Sequence, residues 1–213
     1  MRFLCISDIQ GNVRALQTLL EEADARGFDQ LIVCGDICWP GEDPLEVWKI
    51  LAARNAVCVQ GLGDRALATI DAKKLAGATP EERARVERLK TTKRELGELI
   101  LARLAKLPPI VRLPLESGHT MVVVHGSPRD PTSSITRDMT EEELMYALGD
   151  EPGDLVICGS SHEQFEGKVG DVHIASVGSV GEAPGGTHAL GAFVDSGQLG
   201  YQVTFLEVPL TSS

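Results

Sequence analysis

Three times in the first sixty-four residues an apolar run stops at a loop that carries an aspartate. Phe3 to Ile6 ends in Ser7-Asp8, Leu31 to Cys34 in Gly35-Asp36, and Ala56 to Val59 in Gly61-Leu62-Gly63-Asp64. Between the first two runs, Val13, Leu16, Leu19, Leu20 and Ala23 recur at helical spacing until Gly27 ends the helix. Pro44 to Ala53 reads as the next helix. Strand, helix, strand, helix, strand predicts parallel pairing with right-handed crossovers. Ligands of such sheets bind at the carboxyl ends of the strands, where these three carboxylates stand.

The remainder reads differently. Thr79-Pro80-Glu81-Glu82 is a capping box with proline at the first helical position. From there Val86, Leu89, Leu96, Ile100, Leu104 and Leu107 carry one apolar stripe, which predicts a long amphipathic helix over 79–107 packed on the sheet with a solvated charged face. Pro108-Pro109 ends it. Strands are predicted over 110–115, 120–124, 155–158, 172–175, 189–194 and 201–208, with hairpin turns at Glu116-Ser117-Gly118 and Asp195-Ser196-Gly197. Thr140 caps a short helix. With no long helices between them, these strands are expected to pair mostly antiparallel. The pattern suggests two stacked sheets with helices outside, in one domain over 1–213 with a frayed end at Thr211–Ser213.

Charge narrows the partners. With 31 acidic and 20 basic residues the net charge is −11. Such a surface repels nucleic-acid backbones and anionic membranes, so general binding to either is not expected. A small anionic ligand stays possible where a bound cation inverts the field. Five cysteines, with Cys5, Cys34 and Cys158 inside apolar runs, read as reduced core thiols and not as a disulfide framework. Cys34 and Cys38 lack the second pair that a zinc site needs. No signal segment precedes the first strand and no apolar run approaches a membrane span, so the expected location is the cytoplasm.

Two histidines continue the strand-end pattern: His125 follows the run 121–124 and His162 follows 155–158. Carboxylates and imidazoles gathered at strand ends are the parts of a transition-metal site. The blocks Ser7-Asp8-Ile9-Gln10-Gly11-Asn12, Gly35-Asp36, Gly61-Leu62-Gly63-Asp64, Val124-His125-Gly126-Ser127, Gly159-Ser160-Ser161-His162 and Val177-Gly178-Ser179-Val180-Gly181 together resemble, in order and spacing, the motif set of the calcineurin-like metallophosphoesterases. The small bacterial phosphodiesterases look closest. The resemblance implies an α/β fold, a four-layer αββα sandwich of two mixed β-sheets flanked by helices, with a two-metal site at the loops.

The resemblance also implies which ligands remain. One metal would use Asp8, position 10, Asp36 and His162, where position 10 is Gln10 and not the family's histidine. The second would share Asp36 and use positions 62, 125 and 160. There His125 remains, but Leu62 is apolar and Ser160 replaces a histidine. The position of the family's general-acid histidine is Gly63, which transfers no proton. Losing a proton donor alone costs about 10²–10⁴-fold in rate. A second metal is therefore not expected. Asp8, Asp36, His125 and His162 would hold one Mn, Fe or Zn ion if both histidines converge on it; otherwise they are relics of a lost site.

The expectation is a metallophosphoesterase-fold protein with an eroded dinuclear centre, weakly active or inactive, acting by binding an unknown protein partner or a small phosphate ligand. The family includes a retromer subunit that works as an interaction module. The competing reading is a metal-dependent phosphodiesterase or phosphatase using a single ion. A sensor that binds a nucleotide or phosphate without turnover stands between them. Arg65 and Arg129 lie beside the motifs as candidate anion contacts. Gly61-x-Gly63-x-x-Ala66 mimics a dinucleotide fingerprint but follows the third strand, not the first. The glycine-rich 178–186 stretch reads as tight loops, and His119, His173 and His188 as structural.

Overall fold

The computed structural model of the chain describes residues 1–210; the expected fraying at Thr211–Ser213 lies outside them. Among the described residues the strands are β1 (Arg2–Ile6), β2 (Gln30–Val33), β3 (Val57–Cys58), β4 (Ile110–Pro114), β5 (Thr120–Val124), β6 (Leu155–Cys158), β7 (Gln164–Val169), β8 (Val172–Val177), β9 (His188–Gly197) and β10 (Gly200–Pro209). The α-helices are α1 (Val13–Arg26), α2 (Pro44–Ala53), α3 (Leu62–Thr69), α4 (Pro80–Leu104) and α5 (Glu141–Leu148). One five-stranded sheet runs β10-β9-β1-β2-β3 and the other β4-β5-β6-β8-β7.

Alternation along the strands builds the layers. In β1, Phe3 and Cys5 point to a core shared with Met121, Val123 and Ile157 of the second sheet. Leu4 and Ile6 point the other way, onto Leu16 and Leu19 of α1. In β5, Val122 and Val124 face away from the shared core and pack with Ala147 and Leu148 of α5. The result is an αββα sandwich of two mixed sheets. Each fully buried leucine or isoleucine stabilises it by about 1.5–3 kcal/mol.

Parallel pairing of β1 with β2 and of β2 with β3 follows the expected crossovers. The centre of the second sheet differs from expectation: β5–β6 and β6–β8 are parallel, with antiparallel strands only at its edges. The chain between β5 and β6 carries α5, the short helix expected after Thr140, which suffices for a crossover. The strand β7 was not expected; its Glu166, Gly167 and Lys168 hide the pattern, as suits an edge. The β9–β10 hairpin turns at Gln198-Leu199, two residues beyond Ser196-Gly197, because Gly197 still pairs with Gly200.

The long helix is also not one rod. Thr79 and Glu82 cap α4 as expected, but Gly97 breaks it at φ 69°. Leu89, Leu96 and Leu104 are buried while Leu99 is exposed. Its main contacts are with α2 and α3, not with the sheet. The second half is pinned by Gln60, whose side-chain amide donates to the Leu104 carbonyl at 2.8 Å. The first half lies beside the strand ends. No helix among the described residues is long and apolar enough to cross a membrane.

Candidate metal centre

The loops at the carboxyl ends of β1, β2 and β6 are strained in one shared way. Asp8 (φ 51°), Gln10 (52°), Asp36 (51°), Ser160 (65°) and His162 (62°) all sit in the left-handed region. Side chains with a Cβ avoid it at a cost of about 1–3 kcal/mol each, and surrounding structure has to hold them there. The bonds that do so run between loops. Asp8 N–H donates to Gly35 O, and Gln10 N–H to Asp36 O. The loop after β8 closes on the same segment: Val180 N–H donates to Ser7 O, Gly181 N–H to Asp8 O, and the Ser179 hydroxyl to Asp8 O. The glycine-rich 178–181 stretch is thus a clamp on the Asp8 loop.

Each of three candidate ligand groups, Asp8 and His125 buried and Asp36 half-buried, is fixed through one atom, which leaves another free of the backbone. Asp8 Oδ2 accepts from Ser160 N–H at 2.9 Å. Asp36 Oδ1 accepts from Gly63 N–H at 2.7 Å. His125 Nδ1 lies 2.8 Å from the Cys34 carbonyl, so Nδ1 carries the proton and Nε2 keeps its lone pair. Ligand atoms of Asp8, Asp36 and His125 all lie within 4.8 Å of one another. His125 Nε2 is 3.6 Å from Asp36 Oδ2. Asp8 Oδ1 is buried and takes no backbone N–H; its close polar neighbour is His162 Nε2 at 3.3 Å. Two carboxylate oxygens and an imidazole nitrogen left uncommitted by the backbone are a donor set that fits a divalent cation.

Backbone approaches these carboxylates where only glycine fits. A Cβ at Gly61 would collide with Asp36 Oδ1, and one at Gly159 with Ser7 Oγ. Burial raises the Asp36 pKa, against the pull of His125. His162 stands beside the triad. Its Nε2 is 3.3 Å from Asp8 Oδ1, and that carboxylate raises its pKa.

The other expected positions are placed as follows. Asp64 is in the first turn of α3, not at a strand end, and both its oxygens accept backbone N–H groups, from Ile37 and Gly61 at 3.0 Å. Burial lifts its pKa to about 6. Leu62 is 45% exposed on the rim. Ser160 Oγ is bonded to Ser134 Oγ at 2.6 Å. Arg65 is exposed on α3, and Arg129 stacks on Tyr146 at 4.1 Å beside a separate cavity. Cys34 and Cys38 are buried thiols whose pKa burial pushes well up. His119 bonds Ser117, and His173 and His188 pair with Glu166 and Glu207.

Sequence reasoning missed Glu182, Trp39, Arg85 and Arg88. The Gln10 amide, oriented by its hydrogen bonds, donates to both Glu182 oxygens at 2.8 Å, and its oxygen faces His162 Nε2 at 3.4 Å. A cleft of about 830 Å³ is lined by Gln10, Asp36, Trp39, Arg85, Arg88 and Glu182. No motif marks these residues; only the run of arginines after the α4 cap was visible, and it read as a solvated face.

Comparison with known proteins agrees with the geometry. The profile of the calcineurin-like phosphoesterase superfamily domain matches residues 1–197. A hypothetical protein from Pyrococcus horikoshii OT3 superposes with a TM-score of 0.81 at 23% identity, over 99% of this chain and 88% of that one. A metallophosphoesterase from Sphaerobacter thermophilus gives 0.77 at 24%, over 99% and 89%. An uncharacterised protein of Methanocaldococcus jannaschii is 26% identical over 165 residues, which is 75% of this chain and only 62% of that relative's length.

Proposed function

The chain belongs to the calcineurin-like phosphoesterase superfamily, and we propose that it holds a single Mn, Fe or Zn ion through Asp8, Asp36 and His125 and uses it to bind phosphoric esters, hydrolysing only the most labile. The observation that carries this reading is the clustering of Asp8, Asp36 and His125, whose ligand atoms all lie within 4.8 Å of one another while each group is fixed through a different atom. When bound, the ion supplies Lewis-acid charge for a phosphoryl oxygen. Cys34 O holds the His125 tautomer that presents a lone pair, and Gly63 N–H and Ser160 N–H orient the two carboxylates. A second ion finds no ligands on the rim, where Leu62 is apolar and Ser160 Oγ is engaged.

Gly63 places no proton donor near the leaving oxygen. The alcohol therefore departs as its anion, so aryl esters turn over slowly and alkyl esters are held uncut. The buried, unpaired cysteines support a reducing compartment such as the cytoplasm. The test is hydrolysis of bis(p-nitrophenyl) phosphate with added Mn²⁺, beside an Asp36→Asn control and a dialkyl phosphate. Slow, Asp36-dependent release of nitrophenol with the dialkyl ester intact is the expected result. Cleavage of the dialkyl ester at a similar rate would overturn the argument from Gly63. Binding of phosphate without any release would leave a pure binding protein.

A further inference from the structure

The same cleft that exposes the degenerate rim also receives two arginines from α4. Asp36, Leu62 and Gly63 line it together with Arg85 and Arg88. The two are three residues apart, on one helix face. Among the described residues Arg88 has no hydrogen bond and no ion pair, and the one contact Arg85 makes is over the Trp39 ring at 4.9 Å. Arg2, Arg26 and Arg54, by contrast, are each paired with a carboxylate. In a chain of net charge −11, these two cations line a cleft that also holds the Asp36 carboxylate. Glu182, the other acid lining it, already accepts both of its bonds from Gln10.

We infer that Arg85 and Arg88 bind the non-bridging oxygens of the phosphoryl group and supply, from α4, the positive charge that the rim no longer takes from a second ion. The inference rests on the phosphoester reading of the cleft. A guanidinium offers a planar fork that matches two phosphoryl oxygens and keeps its charge at any working pH. Trp39 holds Arg85 by its ring face and leaves the edge of the guanidinium for the ligand.

The test is calorimetric titration of the full-length, Mn²⁺-loaded protein with inorganic phosphate, comparing wild type, Arg88→Ala, Arg88→Lys and Arg85→Ala/Arg88→Ala. Phosphate affinity is expected to fall about tenfold in Arg88→Ala and about a hundredfold in the double variant, with partial recovery in Arg88→Lys. Mn²⁺ affinity should stay unchanged, because neither arginine touches Asp8, Asp36 or His125. Phosphate affinity equal to wild type in both alanine variants would overturn the inference, as would wild type that binds no phosphate. Arg88 is exposed, so its single variant stays informative if the double variant loses its Trp39 contact and melts early. Should wild type bind no Mn²⁺, the titration is repeated without metal. Arginine-dependent phosphate binding there upholds this inference while the single-ion reading fails.

Discussion

The floor and the rim of the cleft are made from loops of the same two sheets, yet they are held by opposite means. On the floor, Asp8, Asp36 and His125 are each tied down through one atom by a backbone group. On the rim, Leu62 stands in solvent, Ser160 Oγ is turned to Ser134, and Gly63 contributes only its N–H. The floor keeps uncommitted ligand atoms, whereas on the rim Ser160 shares the strained backbone (φ 65°) but has its hydroxyl engaged. On the single-ion reading, the contrast is between a kept site and a lost one.

The largest effect should come from emptying the floor. Asp36→Asn is expected to weaken Mn²⁺ binding about a hundredfold or more, given that even outer-shell partners are worth 10–100-fold; a competition titration with a fluorescent chelator reads it. Equal affinity in the variant would erase the distinction between the two regions. Gly61→Ala tests the floor through its backbone: the new methyl meets Asp36 Oδ1, so we expect about 1–3 kcal/mol lost in chemical denaturation together with reduced Mn²⁺ affinity.

The rim should respond far less. Leu62→Asn returns an oxygen to the family's position, but with Gly63 and Ser160 unchanged the Mn²⁺ stoichiometry is expected to remain one, and stability to shift within about 0.5 kcal/mol. Two equivalents bound would show that one side chain separates the rim from a working second site. The smallest effect belongs to a surface pair outside both regions. Arg54 bonds both oxygens of Asp24 and holds its pKa below the usual value. That stabilisation is present above the unfolded Asp24 value of 3.8 and is lost as pH falls through the lower folded value. Arg54→Ala should cost less than about 1 kcal/mol near pH 7, because both side chains are a third or more exposed. Thermal denaturation at pH 7 and at pH 2.5 should show the gap closing in acid.

What the sequence made legible was set by local chemistry. Asp8, Asp36 and His125 each close an apolar run, so strand-end logic and motif order both reach them. The alternation of β1 and β5 likewise announced two stacked sheets. Asp64 misled, because Gly61-Leu62-Gly63 reads as loop while the chain already turns into α3 there. Glu182 was invisible, since its bonds to Gln10 exist only once the 178–181 loop has folded back on Asp8. Arg85 and Arg88 looked like ordinary helix charges, and a single positive φ at Gly97 decides which way that half of the helix runs.

That fold-back also orders events during synthesis. The loop carrying Asp8 is synthesised 171 residues before Ser179, one of the groups that secure it. Its strand β1 also waits for β9, its antiparallel neighbour. A nascent chain halted before about residue 180 would expose the aspartate loops without the contacts that hold their left-handed backbone. On the single-ion reading, metal capture would follow the arrival of the 179–181 loop, and the ion would act as a seal on this fold, not as its nucleus.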